Sequence, residues 1–272
     1  MTGNAWNDAA DTDGQYSLAK ILGIWAAATL PMFILAWVVF PALAPEWEED
    51  PVGRGAVKMA LMAVGLLWLF ILAMIIVYRE EGDLRWATLR RRLWLNTPRD
   101  PKTGEPRRKL WLWLIPLVVL HVAASWTVLP MIDSWVSATF PLLSPPVGTE
   151  LVEFLRSPET KTLIVGTWWL LGLFLFMGLF NILGEEFLFR GVLLPKMNGV
   201  FGKWDWVANG VLGTFYHVHM PWSWLGTTGF SWLFLYALPA KYLRSTWVSV
   251  ISHGSMIVLQ TIIFVALIGG LM

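Results

Sequence analysis

The chain has no cysteine, which excludes a disulfide framework, a thiolate metal site and a cysteine nucleophile. Charge is scarce as well: 14% of the 272 residues are Asp, Glu, Lys or Arg, against roughly a quarter in an ordinary soluble domain. With 56% hydrophobic residues, a water-soluble protein of this size would lack the polar surface to cover its core. The same arithmetic rules out a nucleic-acid-binding domain, a disordered tail protein and a soluble Rossmann or barrel enzyme. No basic-then-apolar leader opens the chain, because residues 1–18 are polar and acidic, with Asp8, Asp11 and Asp13. Also missing are the His-Glu-x-x-His zinc signature and the Gly-x-Ser-x-Gly nucleophile elbow.

What is present is a series of apolar blocks of about 20 residues, the length that crosses a bilayer as a helix. The expected fold is therefore all-α: a polytopic membrane helical bundle with about seven transmembrane segments, some short or re-entrant. Five are clear, at Ile21–Ala44, Met59–Tyr78, Leu110–Ile132, Leu163–Gly184 and Trp247–Met272. Two weaker segments, Trp206–Trp222 and Leu225–Ala240, are short and carry Asn209, His217, His219, Thr227 and Thr228, so they belong inside the bundle. The 19 tryptophans suit interfacial belts. The organisation read from this is a polar tail at 1–18 and a single bundle at 19–272.

Segment 79–109 holds ten of the 20 Lys and Arg residues, whereas the loop between the first two spans reads Glu46-Trp47-Glu48-Glu49-Asp50. Placing 79–109 in the cytoplasm puts 16 of the 20 basic residues inside, leaving Arg54, Lys58, Arg156 and Lys161 outside. The positive-inside rule then gives a cytoplasmic N-terminus and an outer C-terminus, in a bacterial-type cell membrane. Within the basic segment, Leu84–Leu95 alternates apolar anchors with arginines and reads as an amphipathic helix in the inner interface. Pro98, Pro101, Gly104 and Pro106 form a flexible turn after it, and residues 133–160, with Pro141, Pro145 and Pro146, form the main outer loop.

Charges inside or beside apolar spans are costly, so each needs a reason. The fourth span ends in Gly184-Glu185-Glu186-Phe187-Leu188-Phe189-Arg190-Gly191, two adjacent carboxylates between apolar neighbours. On a helix Glu186 and Arg190 are i,i+4 and pair, while Glu185 lies about 100° away without such a partner. A carboxylate held apart from its ion-paired neighbour is available as a general base. The competing reading is a charge cluster that marks the cytoplasmic end of the span. Histidines follow: His217 and His219 in the polar segment and His253 in the last span. Two residues apart, His217 and His219 stand about 200° from each other on a helix and cannot both face one site. His121, alone in the third span, reads as a core or interhelical polar residue. Glutamates, an arginine and histidines from further helices are a set that activates water. Scattered His and Glu ligands leave a divalent metal such as zinc open as the competing chemistry, though no cofactor is called for.

The run Glu185-Glu186-Phe187-Leu188-Phe189-Arg190 resembles the Glu-Glu-x-x-x-Arg motif of the CPBP family, the CAAX-protease and bacteriocin-processing intramembrane proteases that include the type II CAAX prenyl endopeptidases. Tyr216-His217-Val218-His219-Met220-Pro221-Trp222 is similar to that family's second motif, and Ser252-His253-Gly254-Ser255-Met256-Ile257 to its last, of the His-x-x-x-Asn type. The basic segment Leu84–Leu95 also resembles one that precedes the family's core, so the likeness covers about 84–262.

The resemblance implies an intramembrane endopeptidase whose partners are the lipid bilayer and a peptide or protein substrate, prenylated or leader-type, with no nucleic acid. It implies that Glu185 activates the water, Glu186 and Arg190 support it, and His253 completes the site as an oxyanion donor. His217 is the second-motif histidine by local context. The motif's Phe, four residues before its histidine, instead selects His219, through Phe215. Ile257 stands where the last motif has asparagine, leaving Gln260 and Ser249 as candidate donors. A catalytically weak or inactive membrane scaffold or immunity protein is the alternative; a proton-relaying transporter fits the single glutamate cluster less well.

Overall fold

The structure is a computed structural model and describes residues 14–47, 50–144 and 162–271. The acidic tail with Asp8, Asp11 and Asp13, the Glu48-Glu49 pair and the outer-loop residues Pro145, Pro146, Arg156 and Lys161 lie outside the described residues.

Among the described residues five helices are long and apolar enough to span a membrane: α1 (Leu18–Glu46), α2 (Pro51–Glu81), α4 (Arg108–Trp126), α6 (Trp168–Lys196) and α9 (Thr246–Ile268). They correspond one to one with the five clear apolar blocks, and the molecule is an integral membrane helical bundle. Shorter helices are α3 (Trp86–Arg92), α5 (Val128–Thr139) and α7 (Asp205–Tyr216). Residues 227–243 form α8, which is π-helical over Ser231–Ala237. Asp50 caps α2 by accepting from the Gly53 amide, and Gly82, at φ 78°, ends it in the left-handed conformation that glycine takes without strain. Between α3 and α4 the proline-containing stretch closes as an ordered turn, with an isolated bridge between Arg99 and Pro106 and the Asp100 carboxylate accepting from the amides of Lys102 and Thr103.

Contacts between helix ends establish the topology. Tyr16, just before α1, donates through its hydroxyl to Glu80 at the end of α2 (2.6 Å) and through its amide to the carbonyl of Lys196 at the end of α6 (2.9 Å). The Thr246 amide at the start of α9 donates to the carbonyl of Trp94, just after α3. These ends meet on one face, which carries the basic segment. At the opposite face the Gly166 amide, before α6, donates to the Ile268 carbonyl at the end of α9. The short elements α7 and α8 make a hairpin that enters from the basic face and returns to it: Asp205, which opens α7, is buried against Lys241 near the end of α8. The two weak sequence segments are thus neither full spans nor loops. They form a short helical pair packed among α1, α6 and α9, the kind of enclosed site where short polar helices survive in lipid.

One glycine governs how closely α2 and α6 approach. A Cβ at Gly184, immediately before the two glutamates, would run into the Leu66 carbonyl of α2. Glycine here lets the α6 backbone lie against α2, the small-residue packing expected between membrane helices. Gly184→Ala should lower stability by about 1–3 kcal/mol through overpacking. Gly172→Ala, where a Cβ meets open space, should be neutral or gain up to about 1 kcal/mol from helix propensity. Thermal unfolding of the two variants in detergent distinguishes these outcomes.

Candidate active site

The sequence reading ended the fourth span at Gly184, and the structure corrects this. Helix α6 continues through the glutamates to Lys196, passing from α-helix into a π-helix over Glu186–Leu193. Its cause is burial: Phe187, Leu188, Phe189, Val192, Leu193 and Leu194 all pack into the bundle, so the chain stays helical past the charges. Glu185, Glu186 and Arg190 are 1%, 0% and 0% exposed, which removes the reading of them as a solvated helix end.

Carbonyls of this π-helical stretch also accept from side chains of other elements. Asn209 of α7 donates through Nδ2 to the Phe189 carbonyl (2.7 Å), and Arg92 of α3 donates to those of Gly191 (3.1 Å) and Val192 (3.3 Å). Gln15 takes the Pro195 carbonyl at 3.3 Å.

Glu186 and Arg190 pair as i,i+4, with Arg190 Nε 3.5 Å from Glu186 Oε2. The guanidinium lies over the Trp232 ring at 3.8 Å and donates to the Trp232 carbonyl at 3.3 Å. The other oxygen of Glu186 accepts from His253 Nδ1 at 3.0 Å, and that imidazole stacks on Tyr236 with ring centroids 4.8 Å apart. His253 Nδ1 is 3.9 Å from Glu185 Oε2, while Glu185 Oε1 lies 3.6 Å from His217 Nε2. Glu185, Glu186, Arg190, His217 and His253, from three separate elements, therefore come together in one buried cluster.

The tautomer of His217 follows from its neighbours. Its Nδ1 is 2.9 Å from the Gly213 carbonyl, which can only accept, so Nδ1 carries the proton. The Nε2 lone pair then points toward a carboxylate oxygen. Two acceptors face each other across 3.6 Å, a gap that calls for a proton or a water between them. Trp224 fixes the same residue from behind, its Nε1 donating to the His217 carbonyl (2.9 Å).

The expectation that His217 and His219 face opposite ways assumed a continuous helix. Instead α7 ends at Tyr216 and His217 is its C-cap, so the two imidazoles lie side by side with centroids 5.3 Å apart. His217 is the one that reaches Glu185. Ile257 turns toward α6 and packs on Gly178, where a Cβ would approach its Cγ2 to 2.8 Å. Gln260 is exposed rather than part of the buried cluster, whereas Ser249 is buried beside Glu186 with its hydroxyl donating to the Thr246 carbonyl (2.9 Å). Among the described residues no group of three His, Asp or Glu side chains is disposed to hold a metal ion.

With this geometry in hand, residues 167–268 match the family described as type II CAAX prenyl endopeptidase Rce1-like. The likeness is confined to that segment. No curated protein and no solved structure gives a match. The matched segment runs from the start of α6 to the end of α9 and so contains every member of the buried cluster.

Sequence reasoning missed Trp232, Tyr236 and Asn209 as parts of this arrangement. Trp232 and Tyr236 lie in a second π-helical stretch, four residues apart, and wall the cluster on one side. Tyr236 also explains His121. With its Nδ1 donating to the Ser252 carbonyl (3.3 Å), His121 accepts at Nε2 from Tyr236 and Ser231 (both 3.4 Å), so it ties α4 to α8 and α9. No periodicity marks a tryptophan as the seat for a cation.

Removing Arg190 would strand the buried Glu186. Arg190→Gln should cost about 3–5 kcal/mol. Arg190→Lys should recover only part of it, because an ammonium neither spreads over the indole face nor keeps the guanidinium's several donors. Denaturation of the purified variants measures both.

Proposed function

We propose that the protein is an intramembrane endopeptidase in which Glu185 activates water to hydrolyse a peptide bond of a membrane-associated substrate. The match to a protease family supports hydrolysis in general terms, and the observation that carries the mechanism is the facing of Glu185 Oε1 and His217 Nε2 at 3.6 Å. A water held by these two acceptors has its protons engaged and its oxygen lone pair free to attack. As the O–C bond forms, Glu185 takes the proton; the carbonyl π electrons move to the oxygen. Collapse of the tetrahedral intermediate breaks the C–N bond, and Glu185 returns the proton to the departing nitrogen.

His253 suits the oxyanion role. Glu186 engages its Nδ1 (3.0 Å), which leaves Nε2 as the nitrogen available to a developing oxyanion. Arg190 and Glu186 hold His253 and the field around it and do not touch the substrate. The basic face is the cytoplasmic one in this reading, with the N-terminus inside. A prenylated or leader-type peptide would reach the cluster from there, since His253 lies seven residues along α9 from the start of that helix, about 10 Å deep at 1.5 Å per residue.

The alternative of a catalytically weak or inactive scaffold is favoured by Ile257, which fills its position with helix packing rather than a donor. A quenched peptide library that includes prenylated sequences separates the two, using purified protein in liposomes. Cleavage is expected, and Glu185→Gln should reduce it by about 10²–10⁴-fold without loss of secondary structure. Cleavage unaffected by Glu185→Gln would overturn the water-activating role, and no cleavage by the wild type would favour the scaffold. A zinc chelator should leave the rate unchanged; inhibition that added zinc reverses would assign the histidines to a metal instead.

A further inference from the structure

Outside the cluster, a recess of about 220 Å³ opens on the basic face, lined by Trp86, Arg90, Leu95, Thr97, Trp111 and Trp247. Trp111 and Trp247 stand in the first turns of α4 and α9, so the recess lies where two spans enter the membrane. Tryptophan at that level favours the headgroup region, where its ring rests on glycerol and the first methylenes.

Charge distinguishes Arg90 from its neighbours. Arg85 pairs with Asp83, Arg91 with Glu81 and Arg92 with Glu80, whereas Arg90 has no acidic partner among the described residues. Its guanidinium is exposed and lines a recess whose other walls are indole, aliphatic and hydroxyl groups. The recess is firmly built. Trp94 adopts a left-handed φ of 52°, unusual for a bulky residue, and this turns the chain back over α9. The turn is held by the Thr246 amide on the Trp94 carbonyl (2.9 Å) and by Ser245 Oγ on the Asn96 carbonyl (2.6 Å).

We propose that this recess binds the headgroup of an anionic glycerophospholipid. Arg90 takes the phosphodiester, the Thr97 hydroxyl supplies a further donor, and the three indoles cover the glycerol and upper acyl carbons. Phosphate recognition alone would fit a free anion equally. The apolar walls and the position at the membrane entry select the lipid: three tryptophans offer nothing to an inorganic ion and much to a glycerol ester. A bound lipid would span α3, α4 and α9, bracing α3, whose Arg92 holds the Gly191 and Val192 carbonyls of α6.

The test is native mass spectrometry of the full chain released from detergent with phosphatidylglycerol or phosphatidylcholine added. Wild type should retain phosphatidylglycerol about fivefold or more over phosphatidylcholine, the advantage one well-placed arginine gives at an anionic surface. Arg90→Gln should bring the ratio close to one, and Trp86→Ala should weaken retention of both lipids. Arg91→Gln, which removes an equal charge already paired with Glu81, should keep the preference. An equal loss in Arg91→Gln would make the effect diffuse electrostatics and overturn the proposal, as would an unchanged preference in Arg90→Gln. Excess inorganic phosphate should not displace the lipid; displacement would show an anion site in place of a lipid site. Circular dichroism of each variant confirms that the bundle is intact.

Discussion

Two carboxylates and one guanidinium lie buried inside the bundle, and the surrounding architecture answers to that fact. Isolated ions in such a medium cost far more than a protein's net stability, so each needs a partner and further hydrogen bonds. Glu186 has Arg190 on one oxygen and His253 on the other. Arg190 has Glu186, the Trp232 carbonyl and the Trp232 ring face. Glu185 has no fixed cation of its own and looks toward two imidazoles. Two carboxylates thus face one guanidinium, and Glu185 is the one left to the imidazoles of His217 and His253.

The π-helical stretch turns this local problem into a fold-wide one. The carbonyls of Phe189, Gly191 and Val192 in this stretch accept from Asn209 and Arg92, which come from α7 and α3. Arg92 in turn is held by Glu80 and Tyr16, so the segment before α1 and the end of α2 bear on the same few residues. Tyr16 shows how tight this junction is: its burial pushes the phenol above its ordinary range despite the nearby Arg92, so it stays a neutral donor to Glu80. The basic face therefore acts as a brace on the helix that carries the glutamates. Its charge has a structural use beyond setting orientation.

The long spans were legible because length and apolarity are properties of contiguous residues. The Glu185–Arg190 cluster was legible because charge in an apolar run is anomalous wherever it stands. What stayed hidden depended on where helices stop. Gly184 looked like a terminus, yet it is a close-packing residue against Leu66, and only the tertiary contact tells the two apart. His217 and His219 looked opposed because helical periodicity was carried one residue too far, past the C-cap. Trp232 and Tyr236 looked like ordinary apolar fill, since no spacing rule says that an indole will seat a buried arginine. Ile257 shows the opposite limit: its sequence position points to the site, and its side chain points to Gly178.

The short hairpin follows from the same constraint. At about 1.5 Å per residue, the 12 residues of α7 reach about 18 Å, well short of the ~30 Å hydrocarbon core. A helix that stops there leaves its last carbonyls in a region without water to receive them, so something in the bundle must. His217 does so, donating through Nδ1 to Gly213 and through its amide to Thr214, while Trp224 donates to the His217 carbonyl. A Cβ at Gly213 would fall inside the Trp232 ring, so the position that offers its carbonyl to His217 also admits the indole under Arg190. Capping the broken helix and presenting Nε2 to Glu185 are then one act by one imidazole. A full-length span in place of the hairpin would carry no free carbonyl at this depth, and nothing would fix which nitrogen of that histidine faces the glutamate.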